Sequence, residues 1–215
     1  MDYGDWRPFY EKIVADFGYS QRKDEAVAAE LDRVLGGARV APEALRSLLE
    51  GRAVTVIGNG PRVAEEIDRV KGLVLTADEA TTAALAAGLR PAVLVTDLDG
   101  RVEDQIAANE AGAIAVVHGH GDNGPAVRRW AARFRGRTVA TTQAEPSGTL
   151  HNFGGFTDGD RAVFLADHFG ASRIHLVGFD FEHPSPKDAD RATKLRKLDW
   201  AFVLLSNLAR DDLPL

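Results

Sequence analysis

The 215-residue chain contains no cysteine. That absence removes disulfides, thiolate nucleophiles, zinc ribbons and iron–sulfur clusters. No run approaches the ~18 apolar residues needed to span a bilayer. The N-terminal stretch MDYGDWRPFYEKIVADFGYS is amphipathic and lacks the apolar centre of a signal peptide. The expectation is a soluble, cytoplasmic protein with no membrane partner. Basic charge is short as well: 26 Lys+Arg face 32 Asp+Glu, a net charge of -6, which argues against a nucleic-acid partner. Lysine is scarce, 6 against 20 arginines; biased genomic composition accounts for that, with phosphate recognition as the alternative. There is no internal repeat and no low-complexity tract. What is present is enough apolar residue, 45% of the chain, to bury the core of one sizeable domain with an appendage.

The first fifty residues read as helical, and residues 1–51 are expected to form an N-terminal helical cap. Trp6, Phe9, Ile13 and Phe17 recur at three- and four-residue steps, one face of a helix. Ser20 caps a second helix with a stripe of Val27, Leu31 and Val34 or Leu35. Pro42 opens a third, which Gly51 stops. From Arg52 the rhythm changes, and residues 52–215 are expected to form the main domain. Short β-branched runs at 53–57, 73–76, 92–96, 114–117, 138–142 and 174–177 alternate with helical stretches near 61–70, 79–88, 103–111, 124–134, 158–169 and 189–209. Continuous apolar strands joined by helices imply a parallel sheet covered on both faces, a doubly wound α/β fold. In such folds ligands bind beyond the carboxyl ends of the strands. Here each strand is followed by a polar or glycine-rich turn. The longest apparent loop is 143–159. Trp130 and Trp200 are expected in the core. His151, His168, His175 and His183 are isolated, and no chemistry is assigned to them.

TDLDG is the sharpest of these turns. Asp97 and Asp99 follow an apolar strand and precede Gly100. Two carboxylates roughly 5 Å apart repel by about 3 kcal/mol at an effective dielectric of 20. A divalent cation between them removes the repulsion, and oxygen-only ligands suit Mg²⁺; the alternative is an Asx-turn. HGHGDN places His118 and His120 two apart, followed by Asp122 and Asn123, with Gly119 and Gly121 leaving the backbone open to a ligand. Three readings stay open. Asp122 joins the Mg²⁺ cluster while Asn123 or a histidine touches substrate, or an H-x-H-x-D zinc site forms, or the turn is solvated.

GNGP, residues 58–61, fits an anion-binding turn of Gly58, Asn59 and Gly60 opening a helix, or a tight strand-to-helix turn. It fails the dinucleotide fingerprint at Val63 and is not a Walker loop. In GGFTDGDRA, Thr157 or Asp158 is the expected N-cap and Asp160 completes it. Capping leaves Gly154 and Gly155 unexplained. It also leaves Arg161, a cation in the first turn that opposes the helix dipole unless it faces an anion. Asp180 is a further end-of-strand carboxylate, for substrate, metal or a turn. Lys194 and Lys197 read as a solvated helix face.

Taken in order, GNGP, ADEATTAAL, TDLDG, HGHGDN, TTQ and NFGGFTDGDRA resemble the archaeal 6-hydroxymethyl-7,8-dihydropterin diphosphokinase family, relatives of thiamine pyrophosphokinase. The resemblance covers about residues 50–205. TDLDG, HGHGDN and GGFTDGDR are together specific, while GNGP alone is weak. The resemblance implies a Rossmann-like three-layer domain with a mostly parallel sheet, a homodimer, and an active site lined by Asp78, Asp97, Asp99 and Asp122. It implies that ATP and the pterin alcohol give AMP and the pterin diphosphate. Mg²⁺ would sit on Asp97, Asp99 and Asp122, and Arg161 with the glycine turns would hold phosphates. Asn123, Thr142 or Gln143 would bond the flat pterin edge, and Asp122 or His120 would serve as base. The sequence departs from thiamine pyrophosphokinase in lacking the second, β-rich domain expected after the catalytic one. Related folds in flagellin-glycosylation accessory proteins keep a transferase alternative open. So do a zinc hydrolase built on HGHGD and a non-catalytic nucleotide-binding module.

Overall fold

The computed structural model describes residues 1–36, 39–185 and 190–213. Three helices lead the chain: α1 (Tyr3–Phe17), α2 (Gln21–Leu35) and α3 (Glu43–Leu49). Asp2 caps α1 by accepting from the Asp5 N–H, and Gly18 closes it with a left-handed φ of 68°. Ser20 caps α2 as expected, accepting from the Lys23 N–H. Alternation then sets in: β1 (Ala53–Ile57), α4 (Val63–Glu66), β2 (Leu73–Ala77), α5 (Ala80–Ala86), β3 (Val93–Thr96), α6 (Val102–Glu110), β4 (Ile114–Gly119), α7 (Gly124–Trp130), β5 (Thr138–Thr142), α8 (Asp158–His168), β6 (Arg173–Val177) and α9 (Arg191–Ser206).

The six strands form one sheet in the order β5-β4-β3-β2-β1-β6, and every pairing is parallel. Strands buried on both faces need no alternation, and all positions of β3, β4 and β5 are buried. From β1 to β5 the chain steps in one direction, so right-handed crossovers put α4 to α7 on one face. The last crossover reverses, so α8 returns across the opposite face and packs on β1, β2 and β3. The reversal makes β1 and β6 diverge at their carboxyl ends, the switch point where doubly wound folds bind ligands.

One face carries Val54, Val56, Leu75, Val93, Val95 and Ile114 against α8, α9, α3 and the α1 residues Trp6, Tyr10 and Ile13. The other carries Leu94, Ala115, Val117 and Ala140 against α2, α6 and α7. The leading helices therefore cover both faces. The buried stripe of α2 is Asp24, Ala28, Leu31 and Leu35, one residue round from the expected Val27 line. The reason is steric. A Cβ on Gly119 would sit 3.2 Å from the Ala28 Cα, so the small Ala28 must face the strand end. The free edge of β5 is covered by the long loop, where His151 donates its backbone N–H to Ala140 O and accepts from the Thr142 N–H. Trp6 is fully buried. Trp130 and Trp200 depart from the core expectation. Trp130 lies half-buried between the Arg129 and Arg133 guanidinium groups, and Trp200 keeps its indole N–H near water to donate to Asp16.

Candidate active site

A cleft of about 680 Å³ opens over the carboxyl ends of the strands. It is lined by the turns after β1, β2, β3, β4 and β6, the α1–α2 junction, the start of α8 and the cleft side of α9. At its floor Asp78, Asp97 and Asp158 converge, one oxygen from each lying within 4.8 Å of the others. Each arrives by a different route. Asp78 follows β2 with a left-handed φ of 46°, a conformation aspartate tolerates. Its Oδ1 accepts from Thr96 Oγ1 at 2.8 Å and Gln105 Nε2 at 2.9 Å. Asp97 ends β3. The next residue, Leu98, has a φ of 70° and is buried among α6 and α7 side chains. That conformation costs a leucine about 1–3 kcal/mol, and it lets the leucine enter the core between two outward carboxylates. Asp158 opens α8, which only the reversed crossover brings to this end of the sheet.

Charge at the floor is balanced unevenly. Burial first, then Asp158 and Asp97, push Asp78 well above the ordinary carboxylate range. Burial first, then Asp97, push Asp158 up to about 8, against the pull of Arg161. Burial also works to raise Asp97, but the His120 hydrogen bond at 3.2 Å and the charges of His120, Arg161 and Lys197 outweigh it and hold this carboxyl low. One oxygen, Asp97 Oδ1, is buried with no hydrogen-bond partner. A buried acceptor left unsatisfied costs about 1–3 kcal/mol, so it marks a place for a ligand. Three hard oxygen donors, one of them orphaned, fit Mg²⁺. Among the described residues this is the one group of three potential ligands, so His118, His120 and Asp122 do not form the alternative zinc site. His118 is instead a buried ring beside Thr141 Oγ1 at 3.0 Å, kept neutral chiefly by burial.

Cations flank the carboxylates. Arg161, 7% exposed, donates Nη1 to Asp158 Oδ1 at 3.2 Å and Nη2 to Gln143 Oε1 at 3.1 Å, and its Nε is buried without a partner. The first-turn arginine thus faces an anion, Asp158, within its own chain. Lys197 is not a solvated lysine. It lines the cleft over the Phe156 ring at 6.0 Å, and burial lowers its pKa.

Gly58, Asn59, Gly60, Asp78, Asp97, Asp99, His120, Asp122, Gln143, Thr157, Asp158, Arg161 and Asp180 all line this cleft. Asp99 and Asp122 are exposed and lie outside the three-carboxylate group. Asp180 closes its own turn, accepting from the N–H groups of Glu182 and His183. Asn123, Thr142, Gly154 and Gly155 are not part of the lining. Asn123 is spent on structure, donating to Asp97 O and His118 O and accepting from the His120 N–H. Thr142 accepts from the Ala144 N–H.

The glycines have packing roles. The Gly58 and Gly60 amides donate to Val177 O and Gly178 O, so neither is offered to an anion. A Cβ on Gly60 would stand 2.5 Å from Gly178 O. A Cβ on Gly155, which has a φ of 90°, would stand 2.6 Å from the Arg161 Cα. Gly119 and Gly121 admit α2 rather than a ligand. Sequence reasoning missed Asp24 and Gln105, although each is a polar residue on an otherwise apolar helix stripe.

Asp158 makes the ligand-free protein pH-sensitive. The folded chain keeps this proton to about pH 8, whereas an unfolded aspartate releases it near 3.8. The folded state therefore binds more protons across that window, and stability falls as pH rises. Below about 6.5, the buried neutral His118 acts in the opposite sense, so the clean window is pH 6.5 to 8. Thermal midpoints should decline across it without Mg²⁺, and added Mg²⁺ should restore more at the upper end. A flat profile would contradict the clustered carboxylates.

Fold and site together define a doubly wound α/β protein whose switch-point cleft pairs a carboxylate cluster with buried cations, the class of site that handles phosphate esters with a divalent ion. The chain belongs to the 6-hydroxymethylpterin diphosphokinase MptE-like family, whose model matches residues 31–185. It is 46% identical over 96% of its length to a 6-hydroxymethyl-7,8-dihydropterin pyrophosphokinase of Methanothermobacter thermautotrophicus, covering 94% of that protein. Proteins of the same name from Pyrococcus furiosus and Methanocaldococcus jannaschii are 40% and 35% identical, over 95% and 97% of this chain and 93% and 96% of their own. Among solved structures, a MAf glycosyltransferase from Magnetospirillum magneticum AMB-1 aligns with a TM-score of 0.42 at 16% identity, covering 74% of this chain and 28% of that one.

Proposed function

We propose that the protein transfers a diphosphoryl group from ATP to 6-hydroxymethyl-7,8-dihydropterin, releasing AMP. The observation that carries this reading is the carboxylate cluster with Asp97 Oδ1 orphaned, set against Arg161 and Lys197. The full-length likeness to relatives of that name supplies the acceptor. Asp78, Asp97 and Asp158 would hold Mg²⁺, with the exposed Asp99 and Asp122 at the rim; when bound, the ion neutralises charge on the phosphate oxygens. Arg161, with its free Nε, and Lys197 bind the phosphates and orient them for in-line attack. The hydroxymethyl oxygen attacks the β-phosphorus. The bond from that phosphorus to the oxygen bridging the α-phosphorus breaks, and the β,γ-diphosphoryl group stays on the alcohol oxygen. His120 is committed to Asp97 through Nε2, which favours Asp122, in the same turn, as the acceptor of the hydroxyl proton.

The test is nucleotide chromatography after incubation with Mg²⁺, ATP and either the pterin alcohol or thiamine. AMP should form one-to-one with pterin diphosphate. ADP as sole nucleotide product would overturn the mechanism, and AMP with thiamine alone would overturn the acceptor.

A further inference from the structure

Asp24 is 2% exposed, sits on the apolar stripe of α2 and lies outside the segment that the family model matches. Its carboxylate meets three donors. Oδ2 accepts from Tyr10 Oη at 2.7 Å and Gln143 Nε2 at 2.9 Å, and Oδ1 accepts from the Gly121 N–H at 2.7 Å. No Lys, Arg or His forms an ion pair with it among the described residues. Gln143 is 4% exposed, and its backbone carbonyl is held by Trp6 Nε1 at 2.8 Å. The other end of its amide, Oε1, accepts from Arg161 Nη2.

Donor and acceptor chemistry gives this chain a direction. A carboxylate only accepts and a guanidinium only donates. Gln143, lying between them, satisfies both in one amide orientation: nitrogen toward Asp24, oxygen toward Arg161. With the amide reversed, two acceptors would face each other at one end and two donors at the other, both buried. The orientation of Gln143 in turn fixes Arg161, whose Nη1 holds Asp158 and whose Nε remains unpaired at the cleft.

We propose that Asp24 is a positioning residue for the diphosphoryl transfer: through Gln143 it holds Arg161 in the orientation that presents its unpaired Nε to phosphate. This rests on the proposed function above. The α1–α2 junction thereby acts on the reaction without touching the reacting atoms. Tyr10 shares the carboxylate but lies off the path to Arg161, so it serves as the internal control.

The experiment compares Asp24→Asn, Tyr10→Phe and the pair Asp24→Asn with Gln143→Glu, measuring KM for MgATP, kcat and thermal midpoint. Asp24→Asn lets the Gln143 amide turn and should lower kcat/KM for MgATP by about ten- to a hundredfold, the range set by loss of one oriented charge contact. Tyr10→Phe removes a bond to the same carboxylate and should keep kcat/KM within about threefold of the parent, while its midpoint falls. The pair restores the order at unchanged net charge. The new amide at position 24 donates to the new carboxylate at position 143, which accepts from Arg161, and most of the lost activity should return. If Asp24→Asn does not fold, Gln143→Ala cuts the same link and should show the same loss in kcat/KM. The proposal is overturned if Asp24→Asn keeps its kcat/KM, if Tyr10→Phe loses as much, or if the pair shows no rescue. Failure of the underlying reading looks different: the parent protein itself would then release no AMP with the pterin alcohol.

Discussion

Replacing Asp97 with asparagine should reduce turnover by at least about a thousandfold, while the ligand-free chain stays as stable as the parent near neutral pH, or gains stability. Two properties of this residue set the expectation. Its Oδ1 is buried without a partner, so it is the oxygen of the cluster with the most to gain from a cation. Its charge is also the first electrostatic neighbour, after burial, that drives the Asp158 pKa upward. Neutralising it removes repulsion at the floor and leaves the asparagine oxygen able to accept from His120. Stabilisation by MgATP, which follows the ratio of ligand concentration to its dissociation constant, should shrink accordingly. Thermal melts with and without MgATP, run beside a turnover assay, check both halves. Normal turnover, or a ligand-free midpoint several degrees lower, would contradict the assignment.

Replacing Arg161 with methionine should be nearly as damaging, by about a hundred- to a thousandfold in kcat/KM for MgATP. The guanidinium is 7% exposed and, among the described residues, is the one arginine that lines the cleft. Removing it also leaves Asp158 without its cation and Gln143 Oε1 without its donor, so a loss of stability should accompany the loss of activity. Arg161→Lys keeps charge but not the forked geometry, and should recover stability more than kcat/KM. Equal recovery of both would show that charge alone, not donor placement, matters at this position.

How much of this is legible in the sequence differs by distance along the chain. The six strands fall within one or two residues of their apolar runs, because a strand buried on both faces writes a continuous β-branched signature. Caps such as Ser20 and the Asp160 box read directly, since each spans only a few residues. The floor of the cleft reads only in part. Asp97 is visible in TDLDG. Asp158 looks like a helix cap, and only α8 recrossing the sheet joins it to Asp78 and Asp97. The glycines of GNGP, HGHGDN and GGF read as ligand-facing, whereas most make room for Gly178 O, α2 and α8. A close approach between distant segments leaves no local pattern. Lys197 misleads for the same reason: its helix looks solvated until the cleft is built against it. Asp24 and Gln105 can be found, since a buried stripe that includes one acid or amide needs a partner for it.

The central claim is that the bond broken joins the β-phosphorus of ATP to the oxygen bridging it to the α-phosphorus. ATP radiolabelled at the β-position tests it most directly, with the pterin alcohol as acceptor and the products separated by charge. The account predicts that the label leaves the nucleotide completely and appears on the pterin diphosphate, one label per AMP formed. Label retained in ADP beside a singly phosphorylated pterin would contradict it.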